Sequence, residues 1–116
     1  MLITCAIVED EDITRSIIEG LAKRTGLLSV EKSFEDPIEA VHWLNKNQVE
    51  LLFLDIEMPG FDGLQVIKSL LYRPHIIIIS SKTDYAFDAI QLSVVDYLKK
   101  PINEYSRFLQ SVSKVV

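Results

Sequence analysis

The chain alternates between short apolar runs and longer segments in which apolar residues recur every three or four positions. The short runs are typical of β-strands and the recurrence is typical of amphipathic α-helices. Strands are predicted over residues 2–8, 28–34, 51–54, 76–79 and 94–98. The predicted helices carry these apolar stripes: Ile13, Ile17, Ile18, Leu21 and Ala22; Ile38, Val41 and Leu44; Leu64, Ile67, Leu70 and Leu71; Ala86, Phe87, Ala89 and Ile90; Phe108, Leu109, Val112 and Val115.

Residues with capping chemistry stand at the ends of four predicted helices. Asp36, Pro37 and Glu39 suit the N-cap, first and third positions of the second helix, where Asp36 and Glu39 could form a capping box. The other boundary residues are Gly26 at the end of the first helix, Asp62 and Gly63 at the start of the third, and Asn103 at the start of the last.

The alternation of five strands with five helices favours an α/β fold with one parallel, doubly wound sheet. Parallel neighbours need crossover connections, and the helices that make them cover both faces of the sheet. The continuous apolar run 51–54 is typical of a strand buried on both faces, whereas segment 28–34 alternates as an edge strand does. Ligands of such sheets bind beyond the carboxyl ends of the strands.

Length and composition limit the chain to one folded domain. It has 116 residues, of which 48% are hydrophobic and 25% charged, with only four Gly and four Pro. This composition disfavours low-complexity and disordered classes. A net charge of −5, without a cluster of basic residues, argues against direct binding of nucleic acid.

The only cysteine and the lack of targeting segments bear on location. Cys5 lies in an apolar run, so we expect a buried, unreactive thiol and a reducing compartment. The first residues do not resemble a signal peptide, and no apolar run approaches the roughly 20 residues of a membrane-spanning helix. A cytoplasmic chain without a membrane segment is therefore expected.

Polar side chains follow four of the five predicted strands. Glu9 and Asp10 come after the first, Asp55 after the third, Ser80 after the fourth and Lys100 after the fifth. Three carboxylates at one sheet edge repel one another unless a hard divalent cation shares their charge, and carboxylate oxygens suit Mg²⁺. A hydroxyl and an ammonium opposite them would bind phosphate oxygens. The pattern predicts a magnesium site, with Asp55 as the best-placed nucleophile for phosphorylation.

Five short motifs surround these residues: Ala6-Ile7-Val8-Glu9-Asp10-Glu11, Leu52-Phe53-Leu54-Asp55-Ile56-Glu57-Met58-Pro59, Asp62-Gly63, Ser80-Ser81 and Asp96-Tyr97-Leu98-Lys99-Lys100-Pro101. In this order and spacing they resemble the receiver domain of two-component response regulators, over essentially the whole chain, 1–116. The stretch Asp84-Tyr85-Ala86-Phe87-Asp88-Ala89, followed by Asp96-Tyr97-Leu98, resembles receivers attached to LytTR-type DNA-binding domains.

The resemblance implies a flavodoxin-like sheet of strand order 2-1-3-4-5, in which Asp55 accepts a phosphoryl group from a phosphohistidine of a sensor histidine kinase. Glu9 and Asp10 match the acidic pair that holds Mg²⁺, and Asp55 and the backbone carbonyl of Glu57 complete the protein ligands. Mg²⁺ and Lys100 would neutralise charge during transfer. The peptide bond after Lys100 would be cis.

The resemblance also assigns a switch. The Ser80 hydroxyl would move to the new phosphoryl group, and Tyr97 would turn inward to fill the vacated space. The surface formed by the fourth helix, the fifth strand and the fifth helix would change in consequence. That surface would control an output domain lying outside this chain, transcriptional in character, and could support a homodimer.

Three residues modify the family pattern or occupy its variable positions. Glu9 stands where Asp is usual, and its extra methylene could favour water-mediated contact with the metal. Glu57 and Lys82 lie two residues beyond Asp55 and Ser80, where they flank the approach of hydrolytic water. We expect these two side chains to tune the lifetime of the aspartyl phosphate.

Two other functions fit parts of the pattern. A pseudo-receiver would bind partners without phosphorylation, but the set formed by Asp55, Ser80 and Lys100 with the acidic pair argues against it. An Mg²⁺-dependent phosphatase of the haloacid-dehalogenase type would need a second Asp where Glu57 stands, and a cap domain would not fit. We expect no enzyme activity beyond the chain's own phosphorylation and dephosphorylation.

Overall fold

The computed structural model describes residues 1–82 and 93–116. The strands are β1 (Ile3–Val8), β2 (Leu28–Phe34), β3 (Leu51–Asp55), β4 (His75–Ser80) and β5 (Asp96–Lys99). The described helices are α1 (Asp12–Thr25), α2 (Pro37–Lys46), α3 (Gly63–Ser69) and α4 (Tyr105–Ser113), so α4 is the last of the five predicted helices. The helix predicted from Ala86, Phe87, Ala89 and Ile90 lies outside the described residues.

All five strands are parallel and follow the order β2-β1-β3-β4-β5, which confirms the predicted topology. Strand β1 pairs with β2 on one side and with β3 on the other, so the strand order reverses between β1 and β3. Sheets wound in this way leave a crevice at the carboxyl ends of those two strands. The segments that follow β1 and β3 are therefore placed to form a site.

Helices cover both faces of the sheet, as a doubly wound fold requires. On one face Ala40 and Leu44 of α2 and Val66 of α3 join a buried cluster with residues of β1, β3 and β4. On the other face the ring of Phe108 in α4 stacks on Phe53 of β3, with centroids 5.2 Å apart. None of the helices in the described parts of the chain could span a bilayer.

Four residues of the predicted apolar stripes are exposed, so those predictions were wrong. Ile13 and Ile17 of α1 are 79% and 40% exposed, because Ile18 and Ala22, one step further round the helix, face the sheet instead. Ile38 lies in the first turn of α2 and is 52% exposed. Leu71 is exposed because α3 ends at Ser69, so Leu71 is not part of the helix face that packs against the sheet.

The predicted helix boundaries were right at three ends and wrong at one. Gly26 ends α1 in the left-handed conformation, at φ 68°, and Asp36 accepts a bond from the Ile38 N–H. Among the described residues, the reciprocal capping box joins Asp62 and Gln65 in α3, not Asp36 and Glu39. Helix α4 begins after Glu104 rather than at Asn103, and no side chain caps its first turn; its buried Phe108 packs on Phe53 of β3.

Strand β5 begins at Asp96, two residues later than predicted, because regular pairing with β4 starts there. The Asp96 carboxylate accepts two bonds from Arg107 of α4, at 2.8 and 2.9 Å, and one from Ser111. Burial opposes ionisation, but these bonds hold the pKa of Asp96 well below its usual range. This ion pair fixes α4 against β5.

Candidate functional site

The strand register brings the predicted site residues to one edge of the sheet. Val8 pairs with Leu54, so Glu9 follows β1 beside Asp55, the last residue of β3. Asp55 pairs in turn with Ile79 of β4. Ser80 ends β4, and Lys100 follows β5, where its N–H donates to the Ser80 carbonyl at 2.7 Å.

Three carboxylates converge at the crevice between β1 and β3. Glu9, Asp10 and Asp55 each present an oxygen within 4.8 Å of the others. Glu9 is fully buried and Asp55 is 1% exposed. The buried Oε1 of Glu9 accepts no hydrogen bond from the described residues. Three converging carboxylates, one of them with a buried oxygen that accepts no hydrogen bond from the described residues, form an all-oxygen donor set that fits a hard cation such as Mg²⁺.

Lys100 supplies positive charge to this cluster. Its Nζ lies 3.2 Å from Asp55 Oδ2, 2.9 Å from Glu9 Oε1 and 2.6 Å from Glu11 Oε1. The contact between Lys100 and Glu9 is an ion pair, but its angles do not meet those of a hydrogen bond. Burial opposes the charge, but Glu11 and Glu9 together raise the pKa of Lys100. The Lys100–Pro101 peptide bond is cis, as the resemblance implies.

The two acids that follow β1 are harder to ionise than in water. Burial, reinforced by the neighbouring Asp55, raises the pKa of Glu9 to about 8. The same causes raise the pKa of Asp10. A divalent cation bound among these carboxylates would favour their ionised forms and so oppose this rise in pKa.

Burial of Glu9 makes the stability of the metal-free protein depend on pH. The folded protein binds a proton more tightly than the unfolded chain, whose Glu has a pKa of 4.5. The contribution of Glu9 is fully present below pH 4.5 and is lost as pH rises through about 8. Urea unfolding between about pH 5 and pH 8 should show a falling free energy of unfolding, and a smaller fall in Glu9→Gln. The same slope in both proteins would contradict this.

The carboxylate of Asp55 is held in a defined orientation. Its Oδ1 accepts the backbone N–H of Glu57 at 2.9 Å, and its Oδ2 faces Lys100. A positioned carboxylate beside an ammonium and a cation site can attack phosphorus with little movement.

The side chain of Glu57 turns away from the three carboxylates, toward the end of β4. Its Oε1 accepts the Ser80 hydroxyl, the Ser81 N–H at 2.7 Å and the Ser81 hydroxyl at 3.0 Å. The Lys82 N–H donates to Ser80 Oγ at 3.0 Å, and the Lys82 side chain is exposed. Burial raises the pKa of Glu57, but the bonds from Ser80 and Ser81 outweigh it and lower the pKa.

Tyr97 lies in β5 with its ring half-buried against the core cluster beneath α2 and α3. Its hydroxyl oxygen is buried and has no hydrogen-bond partner among the described residues. A buried phenol without a partner is costly.

Sequence reasoning missed three contributors to the site. Glu11 pairs with Lys100, Ser81 binds Glu57, and Arg15 of α1 donates to the Glu9 carbonyl at 2.9 Å. Glu11 and Ser81 are adjacent to predicted site residues, which was the available signal. The contact of Arg15 could have been predicted from helical spacing, since Arg15 lies one turn after Glu11 and so on the same side of α1.

Comparison with known proteins places this chain in a family. Residues 5–112 match the response regulator receiver domain. The chain is 31% identical over 112 residues to protein MrkE of Klebsiella pneumoniae, covering 94% of this chain and 41% of MrkE. It is 32% identical over 101 residues to the transcriptional regulatory protein YpdB of Escherichia coli K12, covering 84% of this chain and 41% of YpdB. The chain belongs to the receiver domains of response regulators.

Solved structures agree with the fold and the family. The crystal structure of the response regulatory domain of MrkE superposes with a TM-score of 0.86 at 29% identity, covering 97% of this chain and 93% of that one. The receiver domain of AraT, a response regulator from Geobacillus stearothermophilus, gives a TM-score of 0.83 at 34% identity, covering 99% and 93%. The predicted family is confirmed, and the LytTR-type resemblance agrees with the relatives MrkE and YpdB. The chain spans about two fifths of the length of the curated relatives MrkE and YpdB.

Proposed function

We propose that the chain is the phosphoacceptor switch of a two-component system, with Asp55 taking a phosphoryl group from the phosphohistidine of a sensor histidine kinase. The observation that carries the proposal is the convergence of Glu9, Asp10 and Asp55 within 4.8 Å of one another, with Lys100 at 3.2 Å from Asp55. Phosphoryl transfer needs a positioned nucleophile and neutralisation of charge, and this cluster offers both.

The transfer is a displacement at phosphorus. An Asp55 carboxylate oxygen forms the new P–O bond while the P–N bond to the kinase histidine breaks, and the histidine keeps the electron pair. The Glu57 N–H holds the other Asp55 oxygen, and Lys100 stabilises negative charge on the phosphoryl group. Bound to Glu9, Asp10, Asp55 and the Glu57 carbonyl, Mg²⁺ would supply further charge neutralisation. Positioning of Asp55 and neutralisation of the phosphoryl charge would both lower the free-energy barrier to phosphoryl transfer.

The switch would pass from the phosphoryl group to a distant surface. Ser80 would turn its hydroxyl to the new group, and Tyr97 would move into the space that is left. The surface that responds includes β5 and α4, together with the predicted fourth helix.

The proposed switch would control an output domain. The output domain would be a DNA-binding domain of LytTR type in the full-length protein, as the sequence resemblance implies; the name of YpdB, a transcriptional regulatory protein, supports a transcriptional output. The switch would act in the cytoplasm, would dimerise through the responding surface and would not itself bind nucleic acid. It would have no enzyme activity beyond its own phosphorylation and dephosphorylation.

Glu57 and Lys82 are proposed to set the lifetime of the phosphoryl group. Both side chains belong to the loops that flank Asp55 and Ser80, where hydrolytic water would approach. The decay rate of the phosphorylated protein in Glu57→Ala and Lys82→Ala measures the two contributions. Decay at the wild-type rate in both variants would refute this role.

Incubation with acetyl phosphate tests the proposed function. In the presence of Mg²⁺ the wild-type chain should gain the mass of one phosphoryl group, and chelation of Mg²⁺ with EDTA should prevent the gain. Intact-mass spectrometry measures both. A chain that gains no mass with Mg²⁺ would be the pseudo-receiver instead, and steady release of phosphate from many small phosphomonoesters would indicate the phosphatase.

A further inference from the structure

The carboxylate of Glu57 occupies the donors at the end of β4. One of its oxygens accepts the Ser80 hydroxyl, the Ser81 N–H at 2.7 Å and the Ser81 hydroxyl at 3.0 Å, and the other accepts the Ser81 hydroxyl at 3.1 Å. Carboxylates bound in this way form charge-assisted hydrogen bonds, which are stronger than neutral ones. The donors of Ser80 and Ser81 therefore form a favourable binding position for an anion, and Glu57 occupies it.

The hydroxyl of Ser80 cannot serve two acceptors. A serine has one O–H to donate, and here it points to Glu57. Its oxygen already accepts the Lys82 N–H at 3.0 Å, and the residue is fully buried. Water therefore cannot reach the Ser80 hydroxyl to replace Glu57 as its acceptor. Ser80 can donate to a phosphoryl group on Asp55 only after it releases Glu57.

We propose that Glu57, anchored by Ser81, is an internal competitor of the phosphoryl group and holds the Ser80 hydroxyl until the phosphoryl oxygens displace it. This rests on the proposed phosphorylation of Asp55. The two anions also repel each other, since Asp55 and Glu57 are two residues apart and the Glu57 N–H holds Asp55 Oδ1. Phosphorylation would then expel the Glu57 side chain toward solvent.

Competition makes the phosphorylated state harder to reach. The adduct must break the bonds of Glu57 before it forms its own, so part of its binding free energy is cancelled. Removing the carboxylate should tighten binding of a phosphoryl analogue by about tenfold, the effect of one charge-assisted hydrogen bond.

Binding of beryllium fluoride in the presence of Mg²⁺, followed by ¹⁹F NMR, measures this effect. Glu57→Ala should bind about tenfold more tightly than wild type. Ser81→Ala keeps the charge of Glu57 but loses one of its donors, and it should show a smaller gain. Glu39→Ala removes an exposed carboxylate on α2 and should bind as wild type does. Wild-type affinity in Glu57→Ala, or no gain in Ser81→Ala, would overturn the proposal.

A second measurement separates this proposal from the phosphorylation itself. Without any ligand, the ¹H–¹⁵N resonance of Ser81 should shift upfield in Glu57→Ala, because its amide loses a carboxylate acceptor. If the wild type binds no beryllium fluoride, the proposed function fails whatever this resonance does. If the wild type binds it and the Ser81 resonance is unchanged in Glu57→Ala, only the competition is refuted.

Discussion

Replacing Asp55 with Asn should abolish phosphorylation by acetyl phosphate while leaving the protein folded. An amide oxygen is a poor nucleophile, so no P–O bond forms. The Asn Oδ1 can still accept the Glu57 N–H, and Lys100 keeps its pairs with Glu9 and Glu11. The local structure is therefore expected to survive the change.

The same substitution should stabilise the metal-free protein. It removes one of three converging carboxylates, two of which are at most 1% exposed, and so relieves like-charge repulsion. A gain of about 1 kcal/mol, a few degrees in Tm, is expected when unfolding is followed in EDTA.

A matched control comes from Asp62→Asn, the same change at another position near this edge of the sheet. Asn is as good an N-cap as Asp, so α3 should keep its start and phosphorylation should persist. Phosphorylation of Asp55→Asn at the wild-type level would contradict the role of Asp55. Its loss together with a much lower Tm would mean that the variant is unfolded.

Replacing Gly63 with Ala should have the largest effect on stability. A Cβ at Gly63 would lie 2.7 Å from the backbone oxygen of Asp55 and 2.8 Å from Cα of Ile56. Neither backbone atom can move without shifting the end of β3. The cost should be about 3 kcal/mol, at the upper end of overpacking penalties, with a fall in Tm of roughly 10 °C or more.

Gly20→Ala is the control for this prediction. Gly20 lies inside α1, and outside its chain neighbours and its own helix backbone no atom lies within 4 Å of an added Cβ, so Ala should stabilise the helix by about 0.5–1 kcal/mol. Thermal unfolding of both variants measures the contrast. Similar Tm values for Gly63→Ala and the wild type would show that α3 can be displaced from β3 at little cost.

The fold was predictable where one pattern dominated. The run 51–54 and the isoleucines 76–79 are buried on both faces, so their apolar composition identified β3 and β4 directly. Ile13 and Ile38 were wrongly predicted to be buried, because helical spacing does not reveal which of two adjacent helix faces packs against the sheet. The late start of β5 was set by pairing with β4, which local sequence does not encode.

The positions of the site residues were predictable because each lies at, or just after, the carboxyl end of a parallel strand. Glu9, Asp10, Asp55, Ser80 and Lys100 needed only the topology to bring them to one edge. The orientation of Glu57 was not predictable, because it depends on a side-chain rotamer and on donors from the next strand. A long flexible acid can turn toward the cation site or away from it, and only the packed loops decide.

The position of the phosphoryl group is the most direct test of the account. After reaction with acetyl phosphate and Mg²⁺, reduction with borohydride converts an aspartyl phosphate into homoserine, which peptide mass spectrometry can locate. We expect the reduced residue at position 55 and nowhere else. Reduction at Asp10, at Glu9 or at any other acid, or a phosphoryl group resistant to borohydride, would contradict the assignment of Asp55 as the phosphoacceptor.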